Sequence, residues 1–331
     1  MKKCLSILLI VFMMIGLYAC SSNDAKPTEA TTAEPPVNAP TKDASMSALA
    51  DSLGITSQNY PRMDGSTSTL SIVQGIWYQM TAQNSEVPFP ETASKTVPSY
   101  KKLINGEVDI IFVPYASADV LSQAEEAGVT LNFHKIAAEA LVFITPKENT
   151  ASNITREQVR SIYLNNGINS WVALGGDDRA LIPLCRNADS GSQSQMDNLI
   201  LENESMHPDI QNNYVELTME GMLEQTAFYH NGGINGEPTN SYALGYTLYS
   251  YLQNMSEVVS TPSLLKMLAY EGVEPTLETI ADGSYPLTDG YYAVVRSDLP
   301  EEHSAFAIIS WLQSEAGNQM LEEMGLIPLG A

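Results

Sequence analysis

The stretch of this chain best equipped for chemistry is Arg186, followed at the fourth place by Ser190-Gly191-Ser192. An apolar run from Ala180 to Cys185 leads into the arginine, a small polar loop carries the serines, and Met196 to Leu201 continues in helix-forming residues. The pattern predicts a strand, a loop and a helix N-terminus. Backbone N–H groups left unpaired at such a terminus, joined by two hydroxyls and a guanidinium, suit a compact oxyanion. Gly191 lets the backbone come close to the anion, and Arg186 offers a planar fork for two oxygens. The same residue types also make an ordinary capped helix beside a surface arginine, because Ser and Asp are common N-caps. A second loop of the same chemistry, Asp64-Gly65-Ser66-Thr67-Ser68-Thr69, precedes Ser71 to Gln83, where Ile72, Val73, Ile76, Trp77 and Met80 recur at helical spacing. Two such loops in one chain point to a ligand held between them.

The elements that must position these loops alternate. Tyr100 to Ile104 reads as a helix stopped by Asn105-Gly106, Val108 to Val113 as a strand, and Ala116 to Asp119 as the opening of the next helix. A second strong strand follows at Ile136 to Thr145. Strand and helix in alternation predict an α/β sheet with its ligand loops at strand ends. Further on, Trp171 to Asp178 and the glycine-rich Gly232 to Gly236 read as loops, Leu264 to Ala269 and Tyr285 to Val295 as strands, and Tyr242 to Leu252 carries mixed signals. Ser304 to Leu321 reads as one amphipathic helix with Phe306, Ile309 and Leu312 on its core side.

The start of the chain is different in kind. Met1-Lys2-Lys3, an apolar stretch from Leu5 to Tyr18 and then Ala19-Cys20 have the form of an export signal, too short to remain as a membrane span. Leu17-Tyr18-Ala19-Cys20 resembles the lipobox of bacterial lipoproteins, which implies cleavage before Cys20 and its lipidation. Residues 21–47 are rich in Ser, Thr, Ala, Glu and Pro without apolar periodicity, the composition of a flexible linker. Of three cysteines only Cys185 lies in the body, so no disulfide can form within the mature globule, and a buried core thiol is its expected state.

Composition excludes several classes. A net charge of -23 is the opposite of the basic footprint that nucleic acid or an anionic membrane surface requires. A small anion gripped by local dipoles is less sensitive to distant surface charge, which salt screens. The four histidines (His134, His207, His230, His303) form no metal-ligand pair of the HExxH sort, and no Gly-x-Ser-x-Gly nucleophile elbow is present, so an enzyme is not expected and no cofactor is implied.

The segments already quoted, with Leu103-Ile104-Asn105-Gly106-Glu107-Val108-Asp109, Asn240-Ser241-Tyr242-Ala243-Leu244-Gly245-Tyr246, Gly272-Val273-Glu274-Pro275-Thr276-Leu277-Glu278, Gly283-Ser284-Tyr285-Pro286-Leu287 and Gly325-Leu326-Ile327-Pro328-Leu329, occur in the order and spacing of one family. From about Gln58 onward the chain resembles the phosphate-binding proteins of high-affinity phosphate ABC importers, within the type II periplasmic-binding-protein superfamily. The resemblance implies an α/β fold of two lobes with the ligand cleft between them and two hinge crossovers, near Ala140 and Leu287. Lobe 1 would comprise residues 48–140 plus 286–331, and lobe 2 residues 141–285, after the signal peptide (1–20) and linker (21–47). It implies a monomeric, extracytoplasmic receptor, lipid-anchored to the bacterial cell membrane, that delivers inorganic phosphate to permease subunits of an ABC transporter.

Residue by residue, the resemblance assigns ligand contacts to Ser66, Thr67, Ser68 and Thr96 in the first lobe, and to Arg186, Ser190, Gly191 and Ser192 in the second. The chain departs from the family after the strand at Val108 to Val113, where a carboxylate accepts a hydrogen bond from protonated phosphate in well-known members. Here Pro114-Tyr115-Ala116-Ser117 stands in that place. Ser117 is the expected contact instead, with Asp119, Asp64 and Asp189 as possible substitutes for the carboxylate. The departure leaves open a receptor of the same fold for sulfate, molybdate or a phosphonate, or a sensor lipoprotein with a degenerate pocket.

Overall fold

A computed structural model describes residues 44–232 and 236–329. The signal segment, Cys20, most of the linker and part of the Gly232 to Gly236 loop lie outside the described residues. Among the described residues no helix is long and apolar enough to cross a membrane.

The described residues form twelve strands: β1 (Met63–Gly65), β2 (Ile110–Pro114), β3 (Leu131–Pro146), β4 (Asn153–Ile154), β5 (Ala180–Pro183), β6 (Cys185–Arg186), β7 (Val215–Glu216), β8 (Ser241–Leu248), β9 (Leu265–Met267), β10 (Ala269–Tyr270), β11 (Thr288–Arg296) and β12 (Ile327–Pro328). The main sheet runs β1-β2-β11-β3-β8-β5, with β9 and β12 also paired to β3. Neighbours β1 and β2 are parallel, as are β5 and β8, while β11 lies antiparallel to both β2 and β3.

The long strand β3 organises this arrangement. Its residues up to Ala140 pair with β11 and β12, and from Leu141 onward it pairs with β8 and β9. The exchange of partners falls where Leu141 N–H donates to the Leu287 carbonyl (3.1 Å). The apolar residues on the two sides of that point gather in different clusters. One collects Leu141, Phe143, Tyr163, Trp171, Ile200 and Tyr246. Another collects Ile72, Ile76, Ile110, Phe112, Ile308 and Leu312, and a third, with Ile111, Val113, Tyr100 and Leu103, covers the opposite face of β2. Alternate residues of β2 thus enter opposite clusters, which is why its sequence is apolar throughout.

Several elements differ from the sequence reading. Ser45 and Met46, placed in the linker by composition, belong to the fold. The Ser45 carbonyl accepts from Ala82 N–H (2.9 Å), Met46 is buried, and Ser47 caps the helix Ala48–Ser52. The helix expected over Ser304 to Leu321 is two, Ser304–Leu312 and Glu315–Glu323. Ser314 breaks it by accepting from Gly317 N–H (3.3 Å), and the second helix turns so closely onto the first that a Cβ on Gly317 would lie 2.2 Å from the Trp311 carbonyl. Trp171 begins a 3-10 turn, Trp171–Leu174, capped by Ser170, instead of a loop. Tyr242 to Leu252 resolves into β8 followed by the helix Tyr249–Val258.

Candidate functional site

The two hydroxyl loops meet. Ser66 N-caps the turn Thr67–Thr69, which runs into the helix Leu70–Met80, whose buried Ile72, Val73, Ile76 and Met80 fix it on its core. The loop is pinned from below. Ser66 N–H reaches the Phe112 carbonyl (3.2 Å) in the middle of β2, and Thr69 Oγ1–H donates to the same carbonyl (2.5 Å). Across from it, β6 ends at Arg186, and Ser190 N-caps the short helix Gly191–Met196. Each loop carries a hydroxyl pair two residues apart: Ser66 Oγ and Ser68 Oγ at 2.9 Å, Ser190 Oγ and Ser192 Oγ at 3.0 Å.

A cavity of about 100 Å³ lies between them, lined by Ser66, Thr67, Ser68, Lys95, Thr96 and by Arg186, Asp189, Ser190, Gly191, Ser192. Leu217, Thr218, Met219 and Leu248 complete its wall. Pockets for drug-sized ligands run to several hundred Å³. The space therefore suits a small ion. A larger cavity, about 660 Å³, lies by Trp77, Phe89 and Lys102 and shares none of this lining.

Two donors in the lining lack partners. Arg186 is only 7 % exposed, and its Nε donates to the Glu216 carbonyl (3.0 Å), yet its buried Nη1 has no hydrogen-bond partner among the described residues. Thr96 Oγ1 is likewise buried without one. Burial lowers the Arg186 pKa, with Tyr246, Tyr251 and Glu216 opposing, but a guanidinium remains charged in a protein. Its backbone N–H donates to Tyr246 Oη (2.9 Å), whose own hydrogen goes to Gln193 Oε1. Leaving a buried charged donor unpaired costs more than a hydrogen bond contributes, so the pair forms a standing demand for an acceptor.

The loops are in contact. Val97 N–H meets the Asp189 carbonyl at 3.5 Å, Asn198 Nδ2 donates to the Ala116 carbonyl (3.0 Å), and Gln195 Nε2 donates to Asp289 Oδ2 (2.9 Å). A Cβ on Gly191 would sit 2.7 Å from Pro114 Cγ and 2.8 Å from Thr96 Oγ1. Only glycine allows this approach.

Eight of the nine expected contacts line the one cavity. Ser117 does not. It caps the helix Ala118–Glu126 and faces a neighbouring cavity of about 220 Å³ with Asp119, Gln193 and Asp197. Of the carboxylates weighed as substitutes, Asp64 is turned away, with Oδ2 3.0 Å from Lys102 Nζ and Oδ1 accepting from Gly65 and Ser94 N–H. Asp119 lies beside Ser117, and Asp189 alone lines the anion cavity. Sequence reasoning missed Lys95. Its φ of 77° is uncommon for a residue with a side chain, and it turns the chain immediately before Thr96. Cys185 is the expected core thiol: it is buried, and burial pushes its pKa up to about 12.

A sheet whose long strand serves two cores, with two hydroxyl loops meeting between them, is the arrangement of the type II periplasmic-binding-protein fold. The chain belongs to the PBP superfamily, whose domain model matches residues 50–316. Among its relatives, the phosphate-binding protein PstS of Borreliella burgdorferi is 27% identical over 230 residues, covering 68% of this chain and 75% of the relative. PstS of Bacillus subtilis is 20% identical over 331 residues, covering 99% and 94%. Among solved structures, a putative phosphate ABC transporter substrate-binding protein with bound phosphate from Clostridium perfringens superposes with a TM-score of 0.60 at 20% identity, covering 81% of this chain and 98% of that one. An ABC-type phosphate transport receptor from Vibrio cholerae gives 0.58 at 22%, covering 80% and 98%. The relatives are named for phosphate binding and transport.

Proposed function

We propose that this protein is an extracytoplasmic receptor that captures inorganic phosphate between two lobes, residues 48–140 with 286–331 and residues 141–285, and presents it to an ABC permease. In this reading the protein is a monomer, tethered to the membrane by a lipidated Cys20. The observation that carries the reading is the pair of buried, partnerless donors, Arg186 Nη1 and Thr96 Oγ1, facing a cavity of about 100 Å³ ringed by serine hydroxyls. A tetrahedral oxyanion supplies the acceptors those donors lack, and the ring of hydroxyls and helix N–H groups spreads its charge. The relatives named for phosphate support the choice of ion. A micromolar dissociation constant needs a net of about -8 kcal/mol, within reach of several charge-assisted bonds of roughly 1.5–3 kcal/mol each after desolvation.

The test is calorimetric titration of the soluble body with phosphate and then sulfate at matched ionic strength, after partial unfolding to strip carried-over ligand. Saturable phosphate binding is the expected result. Equal binding of both ions would make the protein a general oxyanion receptor, and silence with both would overturn the transport reading.

A further inference from the structure

The helix that begins at the second anion loop also reaches across to the opposite lobe. Ser190, Gly191 and Ser192 stand at its N-terminus beside the anion cavity, and a π-helical turn, Asp197–Leu201, continues it. Met196, Ile200 and Leu201 pack into the cluster that holds Phe143, Tyr163 and Tyr246. Gln195 and Asn198, three residues apart and so on one face of the helix, turn the other way. Gln195 Nε2 donates to Asp289 Oδ2 (2.9 Å), and Asn198 Nδ2 donates to the Ala116 carbonyl (3.0 Å). Both acceptors belong to the lobe that carries the first hydroxyl loop.

The two acceptors are braced as one unit. Asp289 lies near the start of β11, and its Oδ1 accepts from the Tyr292 hydroxyl (2.8 Å). The Tyr292 ring meets Tyr115 edge-on, with 5.5 Å between ring centroids, and Tyr115 immediately precedes Ala116. An acceptor already held in place loses little freedom when its donor arrives, so less of the bond is spent on ordering. Gln195 is 2 % exposed, which shields its bond to the carboxylate from water, and bonds to an ionised acceptor are the stronger kind. The same amide leaves its Oε1 buried with no hydrogen-bond partner among the described residues, which cancels part of that gain. The contact therefore favours closure without locking the lobes by itself.

We propose that Gln195 and Asn198, with Asp289 and the Ala116 carbonyl as their acceptors, form a latch between the lobes that sets how long the anion stays bound. Neither amide lines the anion cavity, so both are positioning residues. They act through the helix they share with Ser190, Gly191 and Ser192. An anion held at the N-terminus of that helix draws it toward the first hydroxyl loop, and the same movement brings the two amides onto their acceptors. Release requires the lobes to part, so the latch bonds must break together with those to the ion. Capture by the open protein precedes latching and does not depend on it. This inference rests on the two-lobe receptor reading and adds to it the residues that govern release.

The test measures phosphate dissociation constants by calorimetry, and release rates by chasing bound radiolabelled phosphate into an excess of unlabelled phosphate. The proteins compared are the wild type, Gln195→Met, Asn198→Ala, Asp289→Ala and the double variant Q195M/D289A, with thermal unfolding of each as the check on folding. Q195M should raise the dissociation constant and the release rate together by about tenfold, and N198A by about threefold. The association rate constant, which is their quotient, should stay within about twofold of the wild type. Q195M/D289A should be within about twofold of D289A, because either change breaks the same bond. Weaker binding with an unchanged release rate overturns the proposal, as do effects of Q195M and D289A that multiply in full, the mark of two unconnected structural roles. If Q195M fails to fold, the release rate of N198A decides, since that change shortens a half-buried side chain. Variants that release phosphate as slowly as a phosphate-binding wild type overturn the latch and leave the receptor reading standing. A wild type that binds no phosphate sinks the receptor reading and the latch with it.

Discussion

Replacing Arg186 by methionine separates a binding charge from a structural one, because the two roles predict opposite effects on the ligand-free protein. In the fold the guanidinium is nearly buried, makes one side-chain bond, Nε to the Glu216 carbonyl at 3.0 Å, and its Nη1 has no partner among the described residues. Methionine removes that bond, worth about 1 kcal/mol net. It also removes a desolvated charge, and apolar replacement of buried ionic groups is often neutral or stabilising by about 1–4 kcal/mol. The ligand-free stability of R186M should therefore be unchanged or higher. Binding moves the other way. Two charge-assisted bonds from the guanidinium fork are worth roughly 1.5–3 kcal/mol each, and about 1.4 kcal/mol is a factor of ten, so phosphate affinity should fall by about two to four orders of magnitude. Calorimetry measures the affinity, and thermal unfolding of stripped protein measures the stability. An affinity within about fivefold of the wild type, or a ligand-free loss of several kcal/mol, would refute the assignment of Arg186 as the anion's principal donor.

Further expectations follow from the same geometry. Gly191→Ala would place a methyl 2.7 Å from Pro114 Cγ and 2.8 Å from Thr96 Oγ1, so the loops can no longer meet. Calorimetry should show phosphate binding reduced at least about tenfold while far-ultraviolet circular dichroism stays native. Lys95→Gly relieves a φ of 77° and should raise thermal stability by about 1 kcal/mol, without the loss of binding expected for R186M. Asp197 has its pKa raised from 3.8 to about 6, first by burial and then by the nearby Asp119 charge, with the Gln193 hydrogen bond opposing. A raised folded-state value means that the native protein holds the proton longer than the unfolded chain, so stability from this group is present below about pH 4 and is lost as pH rises through about 6. Asp197→Asn should therefore stabilise the protein by about 3 kcal/mol at pH 8 and by nothing at pH 3.5, as read by denaturant titration at the two pH values.

The sequence by itself determined the local pieces. Arg186 with Ser190-Gly191-Ser192, and Asp64 to Thr69 before an apolar helical stripe, could be read as anion loops because capping, glycine and hydroxyl chemistry act over four or five residues. The buried apolar run of β2 and the long strand around Ile144 were legible for the same reason, since a buried strand shows its nature in its own composition. The failures were also local: no pattern marked the break at Ser314, whose cap competes with an equally good continuous helix.

What only the tertiary structure decided concerns distances across the sheet. That Ser117 turns to a neighbouring cavity, that Asp64 is held by Lys102, and that Lys95 borders the anion site depend on how helices dock at strand ends, which no short-range pattern encodes. The pairing of β3 with β11 is the clearest case. Residues 139 and 291 are far apart in the chain, and each reads alone as a strand polar residue or a packing aromatic. Their relation exists only because the β3–β11 register sets Tyr291 diagonally to Glu139. Register is fixed by burial of a whole strand face, a cooperative choice made by the folded sheet and not by any single segment.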